Sequence, residues 1–135
     1  MSSLAVVDTN VLVSALLRPD GLPAEVVRAV RRSTLVPVVC AEIVAEYVAG
    51  LARPRLGLPA PETAELLSLL QLQARWVRIT PYPSALKLPD AADWPFIACA
   101  LAAGRPVITG NVRHFPARTG VEVMTVRAWV ERRSS

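Results

Sequence analysis

Short apolar segments rich in β-branched residues alternate along this chain with segments of helical periodicity, and this alternation restricts the possible folds most. The apolar segments lie at residues 4–7, 35–39, 76–79, 106–108 and 123–125. The helical patterns cover residues 11–17, 24–32, 41–52, 62–73, a segment that ends at Gly104, and residues 126–133. Strands that alternate with helices pair in parallel between two helical layers. The sequence therefore predicts an α/β fold, a three-layer α/β/α sandwich around a mostly parallel sheet of four to five strands.

Size and composition predict one domain, residues 1–135, with a well-packed core. The chain is 53% hydrophobic and has a mean hydropathy of +0.39. It contains no apolar run near the ~18 residues of a membrane span and no signal-peptide pattern at its start, so we expect a cytoplasmic protein without a membrane partner. Its two cysteines, Cys40 and Cys99, lie in apolar segments and are interpreted as buried free thiols.

The basic charge of the chain comes almost entirely from arginine. The net charge is +4, with fourteen arginines and one lysine, Lys87. Arginine binds phosphate groups through its planar fork, so the charge favours a nucleic-acid partner without establishing one. Four arginines lie near the motifs described below and are either substrate contacts or ordinary surface residues: Arg18, Arg53, Arg55 and Arg113.

One carboxylate, Asp8, directly follows the first predicted strand in the segment AVVDTNVLVSALL. One interpretation is a strand-to-helix corner in which Asn10 caps the helix. The other is that Asp8 performs chemistry, because parallel sheets bind ligands outside the carboxyl ends of their strands. The segment VITGN, residues 107–111, ends in the same way and brings Thr109 and Asn111 to that edge, unless it is an ordinary turn.

A second aspartate, Asp93, lies on the apolar stripe of the helix that follows it. The stripe residues are spaced three, four, seven and eight positions after it: Phe96, Ile97, Ala100 and Leu101. A carboxylate on a core-facing stripe is either a helix cap or a functional group. Asp90 is interpreted as a cap or turn residue.

Glu46 lies at the border of the apolar stripe of the helix over residues 41–52, and Glu42 lies nearly opposite that stripe. Periodicity therefore predicts a solvated Glu42 and leaves Glu46 either at the surface or directed inward. His114 has no partner at metal-ligand spacing, so we expect a loop contact.

Taken together, these segments resemble the PIN-domain ribonucleases, in particular the VapC-like toxins of bacterial toxin–antitoxin pairs. The resemblance rests on VVDTNVLVSALL, AEIVAEYVAGLARPRL, DAADWPFIACALAAG and VITGNVRHFP, in that order. It implies a PIN-like fold with Asp8, Glu46 and Asp93 as catalytic and metal-binding residues. Asn10 and Thr109 match supporting polar positions.

Asn111 departs from the family pattern, because many PIN domains have an aspartate there. An amide can orient a ligand or a water but brings no charge. We therefore interpret Asn111 as a supporting residue and expect a weaker metal site carried by three carboxylates.

Three clustered carboxylates require a cation, because each pair would repel by about 4 kcal/mol at 4 Å and an effective dielectric near 20. All-oxygen ligation favours Mg²⁺ or Mn²⁺. The resemblance therefore implies a metal-dependent endoribonuclease that hydrolyses RNA phosphodiester bonds. It also implies an antitoxin partner and a homodimer, for which no residue gives direct support.

Two other functions remain open at the level of sequence. A PIN-like scaffold could bind RNA or a protein partner without cleaving anything. A haloacid-dehalogenase-like phosphatase also has an aspartate after its first strand, but it needs a second aspartate at the position of Asn10 and a lysine late in the chain, where this sequence has only Lys87.

Overall fold

A five-stranded parallel sheet forms the centre of the protein in the computed structural model, which describes residues 2–134. The strands are β1 (Ser3–Val7), β2 (Leu35–Val39), β3 (Arg75–Trp76), β4 (Val107–Ile108) and β5 (Val123–Met124). Their order is β3-β2-β1-β4-β5, and every neighbouring pair is parallel. The predicted α/β/α sandwich is confirmed. Met1 and Ser135, which the predicted domain includes, lie outside the described residues.

Six helices flank the sheet within residues 2–134. They are α1 (Thr9–Leu17), α2 (Leu22–Arg31), α3 (Ala41–Leu51), α4 (Ala60–Gln73), α5 (Trp94–Ala103) and α6 (Val126–Ser134). The core forms where their apolar faces meet the buried residues of β1, β2 and β4. None of these helices has the length and apolar character that crossing a membrane would require.

Pro37 lies in the middle of β2, an inner strand where a missing N–H would normally cost a ladder hydrogen bond. On the β3 side of this strand, Val39 accepts a hydrogen bond from Val77 N at 2.9 Å. Backbone groups alternate in direction along a strand, so Pro37 also turns its nitrogen toward β3. Because β3 begins opposite Val38, no β3 residue among those the structure describes pairs with Pro37.

The third strand is shorter than predicted, because it covers Arg75–Trp76 and not residues 76–79. The bond from Val77 N to Val39 O is made where β2 ends, so the following residues have no neighbouring strand to pair with. β3 is an edge strand, and Trp76 remains exposed on it.

Both cysteines are buried and free, as predicted. The sulfur of Cys40 accepts a hydrogen bond from Ile43 N at 3.4 Å and so caps α3. Burial raises the pKa of the Cys99 thiol well above its ordinary value, which keeps this thiol protonated.

Candidate functional site

The ends of β1 and β4 bring Asp8 and Thr109 together at the carboxyl edge of the sheet. The Thr109 hydroxyl donates a hydrogen bond to Asp8 Oδ2 at 2.7 Å and accepts one from Asn111 N at 2.9 Å. Both side chains are buried. Burial raises the pKa of Asp8, and the Thr109 hydrogen bond opposes that shift. Thr109 therefore stabilises a carboxylate that its surroundings would otherwise tend to neutralise.

Asp93 ends a 3₁₀ turn, Ala91–Asp93, and immediately precedes α5. It occupies the cap position, but its side chain makes no capping hydrogen bond. The residue is 8% exposed, and within segment 2–134 its buried Oδ2 atom has no hydrogen-bond partner. His114 Nδ1 lies 3.0 Å from this oxygen, at ion-pair distance but without hydrogen-bond geometry. Burial, and next the negative charge of Asp8, raise the pKa of Asp93 to about 6.

Asp90 has the predicted capping role, because its Oδ1 accepts a hydrogen bond from Ala92 N at 2.9 Å. It also lies close to Asp93 and His114. Each of the three offers one ligand atom, and these atoms lie within 4.8 Å of one another. His114, for which sequence spacing indicated no metal-ligand partner and only a loop contact, thus lies against two aspartates. Its partners come from the loop before α5, so spacing within its own segment could not reveal them.

A cleft of about 340 Å³ contains most of the predicted site residues. Among the residues that line it are Asp8, Asn10, Glu46, Asp90, Asp93 and His114. Glu46 is partly buried here, whereas Glu42 is exposed, as predicted. The structure therefore brings the three predicted carboxylates to one cleft and places Thr109 behind Asp8.

The structure places Asn10 and Asn111 differently from the simplest interpretation of each. Asn10 does not cap the first helix, because α1 begins at Thr9 and Asp8 holds the cap position. Asn111 does not line the cleft; its backbone N–H is bonded to Thr109, and its side chain makes no hydrogen bond to the described residues.

Of the four arginines near the motifs, two line the cleft. Arg53 and Arg55 follow α3 and are exposed at the cleft wall, whereas Arg18 and Arg113 do not line it. In segment 2–134 neither cleft arginine forms a hydrogen bond or an ion pair with another side chain. A basic rim thus lies beside the acidic centre.

Two residues of α3 that sequence reasoning did not single out fix the position of Glu46. The Tyr47 hydroxyl is fully buried and donates a hydrogen bond of 2.5 Å to Val7 O, the last carbonyl of β1. One turn later, a Cβ atom on Gly50 would lie 2.7 Å from Thr9 Cγ2, so only glycine allows α3 to approach α1 this closely. These contacts hold Glu46 against the end of β1.

The donor set fits a hard divalent cation. Burying a carboxylate oxygen without a hydrogen-bond partner costs free energy. The negative charge of neighbouring carboxylates adds to the effect of burial in raising the pKa of Asp93, and a bound cation would offset this repulsion. Lys87, which the phosphatase alternative needs, does not line the cleft.

Comparison with known proteins agrees with this arrangement. A family model described as PIN domain matches residues 5–113. A search of curated proteins finds no matching relative. PIN domains have a nuclease fold and are generally metal-dependent, and the described residues include an acidic group able to hold a metal. The match spans most of the sequence, and the chain belongs to the PIN-domain family.

Proposed function

We propose that this protein is a metal-dependent endoribonuclease that hydrolyses RNA phosphodiester bonds and acts as the toxin of a toxin–antitoxin pair. The observation that carries the proposal is the buried Asp93 carboxylate, whose Oδ2 has no hydrogen-bond partner among the described residues and only His114 at ion-pair distance, in a cleft lined by further carboxylates. We further propose that residues 1–135 form a single domain, cytoplasmic in location, that binds an antitoxin and forms a homodimer.

Asp8, Glu46 and Asp93 would hold the cation, Mg²⁺ or Mn²⁺, with Asp90 and His114 beside Asp93. The cation would polarise the scissile phosphate and lower the pKa of the attacking water. Thr109 orients Asp8 through its hydrogen bond, and Tyr47 holds the helix that bears Glu46 against β1. Asn10 lines the same cleft and can donate or accept a hydrogen bond there, and Asn111 supports Thr109 through its backbone.

Arg53 and Arg55 would bind the RNA backbone at the cleft wall. For single-stranded RNA, the slope of log Kd against log salt concentration falls by about 0.7 for each phosphate contact that is removed. We therefore expect Arg53→Gln/Arg55→Gln to weaken binding and to lower the slope of log Kd against log salt by roughly 1.4. Fluorescence anisotropy in EDTA, over a salt series, measures both.

Arg105→Gln/Arg127→Gln is the matched control, because it removes the same charge away from the cleft. Equal slopes for the two double variants would mean that Arg53 and Arg55 do not contact RNA.

The decisive test of the proposed activity is cleavage of a labelled single-stranded RNA by purified protein. We expect cleavage with Mg²⁺ or Mn²⁺ and none in EDTA. Glu46→Gln should lower kcat at least about 100-fold, since even outer partners of metal ligands reach that range. Glu62→Gln, an exposed change in the first turn of α4, should retain activity.

Absence of cleavage with either cation, by folded protein that still binds RNA, would favour the alternative of a non-cleaving scaffold. The neutral Asn111 favours this alternative, because many PIN domains have a further aspartate at its position.

A further inference from the structure

Trp76 is an exposed aromatic side chain whose position is fixed. It is 49% exposed on the edge strand β3. Its indole Nε1 donates a hydrogen bond of 3.3 Å to Gln71 O near the end of α4. The ring is therefore held in one orientation with a large surface in water, and a ligand that covers it meets a preorganised partner.

Two arginines lie close to Trp76 in the chain: Arg78 lines the same cleft as the ring, and Arg75, the preceding strand residue, extends from the other face of β3. Arg75 and Arg78 are exposed, and neither forms a hydrogen bond or an ion pair with any side chain of residues 2–134. By contrast, the exposed Arg31 pairs with Glu65. An aromatic face beside unpaired cations suits a polyanion with flat, apolar rings.

The ring lies at the same edge of the sheet as the catalytic cleft. Trp76 pairs with Val39 at the end of β2, and two strand spacings, about 10 Å, separate β3 from β1. Trp76 and Arg78 line an open cleft of about 500 Å³ together with Glu42. Glu42 and Glu46 lie about one turn apart on α3, roughly 6 Å along the axis, so the two clefts share this helix as a wall.

We propose that Trp76, with Arg78 in the same cleft and Arg75 on the other face of the edge strand, forms a stacking platform for a base of single-stranded RNA outside the scissile step. This inference rests on the proposed function, because the strand that enters the catalytic cleft would continue along the carboxyl edge of the sheet. The base stacks on the indole, and the arginines bind the neighbouring phosphates. Glu42 repels phosphate from the opposite wall, so the base and not the backbone lies between Glu42 and the ring.

Binding of a labelled single-stranded 12-mer RNA to Asp93→Asn protein in EDTA tests the platform without cleavage. We expect Trp76→Ala to weaken binding about 5- to 100-fold, the range found when a base-stacking aromatic is removed. Trp76→Phe should retain most of the affinity. Trp76→Leu, which keeps apolar bulk without a π face, should lose as much as Trp76→Ala, and it replaces that variant if the alanine protein fails to fold.

Two control variants match the loss of an exposed apolar side chain and the loss of one positive charge. Leu72→Ala removes another exposed apolar side chain, 83% exposed on α4, and should leave affinity unchanged. Arg78→Gln should weaken binding more than Arg127→Gln, which lies in the first turn of α6, directly after the opposite edge strand β5. Trp94 and Trp129 are buried, so quenching of tryptophan fluorescence by RNA should disappear in Trp76→Phe.

The outcomes separate this inference from the proposed function. If wild-type protein cleaves RNA but Trp76→Ala binds and cleaves as Leu72→Ala does, the platform is wrong and the nuclease stands. If Trp76 controls binding but no cation supports cleavage, the platform stands and the nuclease is wrong. If Trp76→Ala abolishes a dimer without changing RNA affinity, the surface binds a second copy and the proposal is overturned.

Discussion

Replacement of Asp93 by asparagine is expected to abolish metal-dependent RNA cleavage and, in the absence of metal, to stabilise the protein near neutral pH. The activity should fall by more than about 100-fold, because the change removes one of the charged side chains proposed to hold the metal. The stability should rise because the wild-type carboxylate is buried beside Asp8 and has a pKa of about 6. These two effects have opposite signs, so a general loss of folding cannot produce both.

The stabilising effect should depend on pH in a defined window. A carboxyl group with a raised pKa binds its proton more tightly in the folded protein, so wild-type stability falls as pH rises from the ordinary aspartate value of 3.8 through about 6. Each pKa unit corresponds to about 1.4 kcal/mol. We therefore expect Asp93→Asn to gain on the order of 2 kcal/mol at pH 7.5 in EDTA and almost nothing at pH 4.

Urea unfolding at the two pH values, with and without Mn²⁺, measures this difference. Asp20→Asn, a change in the exposed turn before α2, is the control and should shift neither activity nor its pH dependence. A variant that loses stability at pH 7.5 in EDTA would show that Asp93 is a structural cap and not a metal ligand.

Thr109→Val is expected to lower the free energy of unfolding markedly. Thr109 is fully buried, and its hydroxyl both donates to Asp8 and accepts from Asn111 N. A hydrogen bond to a charged group contributes about 1.5–3 kcal/mol, and valine also leaves the Asn111 N–H without this acceptor. We expect a loss of roughly 2–3 kcal/mol at pH 7, equivalent to a fall in Tm of roughly 5–15 °C.

The loss should be smaller at acidic pH, because a protonated Asp8 needs the donor less. The Thr109 hydrogen bond lowers the pKa of Asp8, so its removal should raise that pKa further. The loss of unfolding free energy should therefore be full at pH values above the pKa of Asp8 and should fade at pH values below it. Thr109→Ser restores the hydroxyl and should recover most of the stability. Equal melting curves for the valine and serine variants at pH 7 would contradict this account.

The parts of the fold that could be predicted are those whose signals are local. The apolar run before Asp8 and the apolar stripe after Asp93 each single out a carboxylate, and the carboxyl-edge rule predicts that Asp8 lies beside Thr109. The grouping of Asp93 with Asp8 came only from the resemblance to PIN domains. Helix boundaries followed from the same patterns, with α1 beginning slightly earlier than expected because Asp8 itself takes the cap position.

The parts that could not be predicted depend on contacts between distant segments. His114 approaches Asp93 only after the chain has turned at the end of β4, and the Tyr47 hydroxyl reaches a carbonyl on another strand. Tyr47 lies among the buried residues of α3, but an apolar pattern carries no information about its hydroxyl. The length of β3 depends on where β2 ends, which the residues of β3 do not encode.

The hydrogen bond between Asp8 and Thr109 also has a consequence for folding order, because it joins residues 101 positions apart. β1 can pair with β2 as soon as α1 and α2 have formed, whereas pairing of β1 with β4 closes a far longer loop. A nascent chain that has reached the end of α4 already carries Asp8 and Glu46, but the residues around Asp93 and Thr109 have not yet been added. The proposed nuclease would therefore be inert until β4 has been synthesised and has paired with β1.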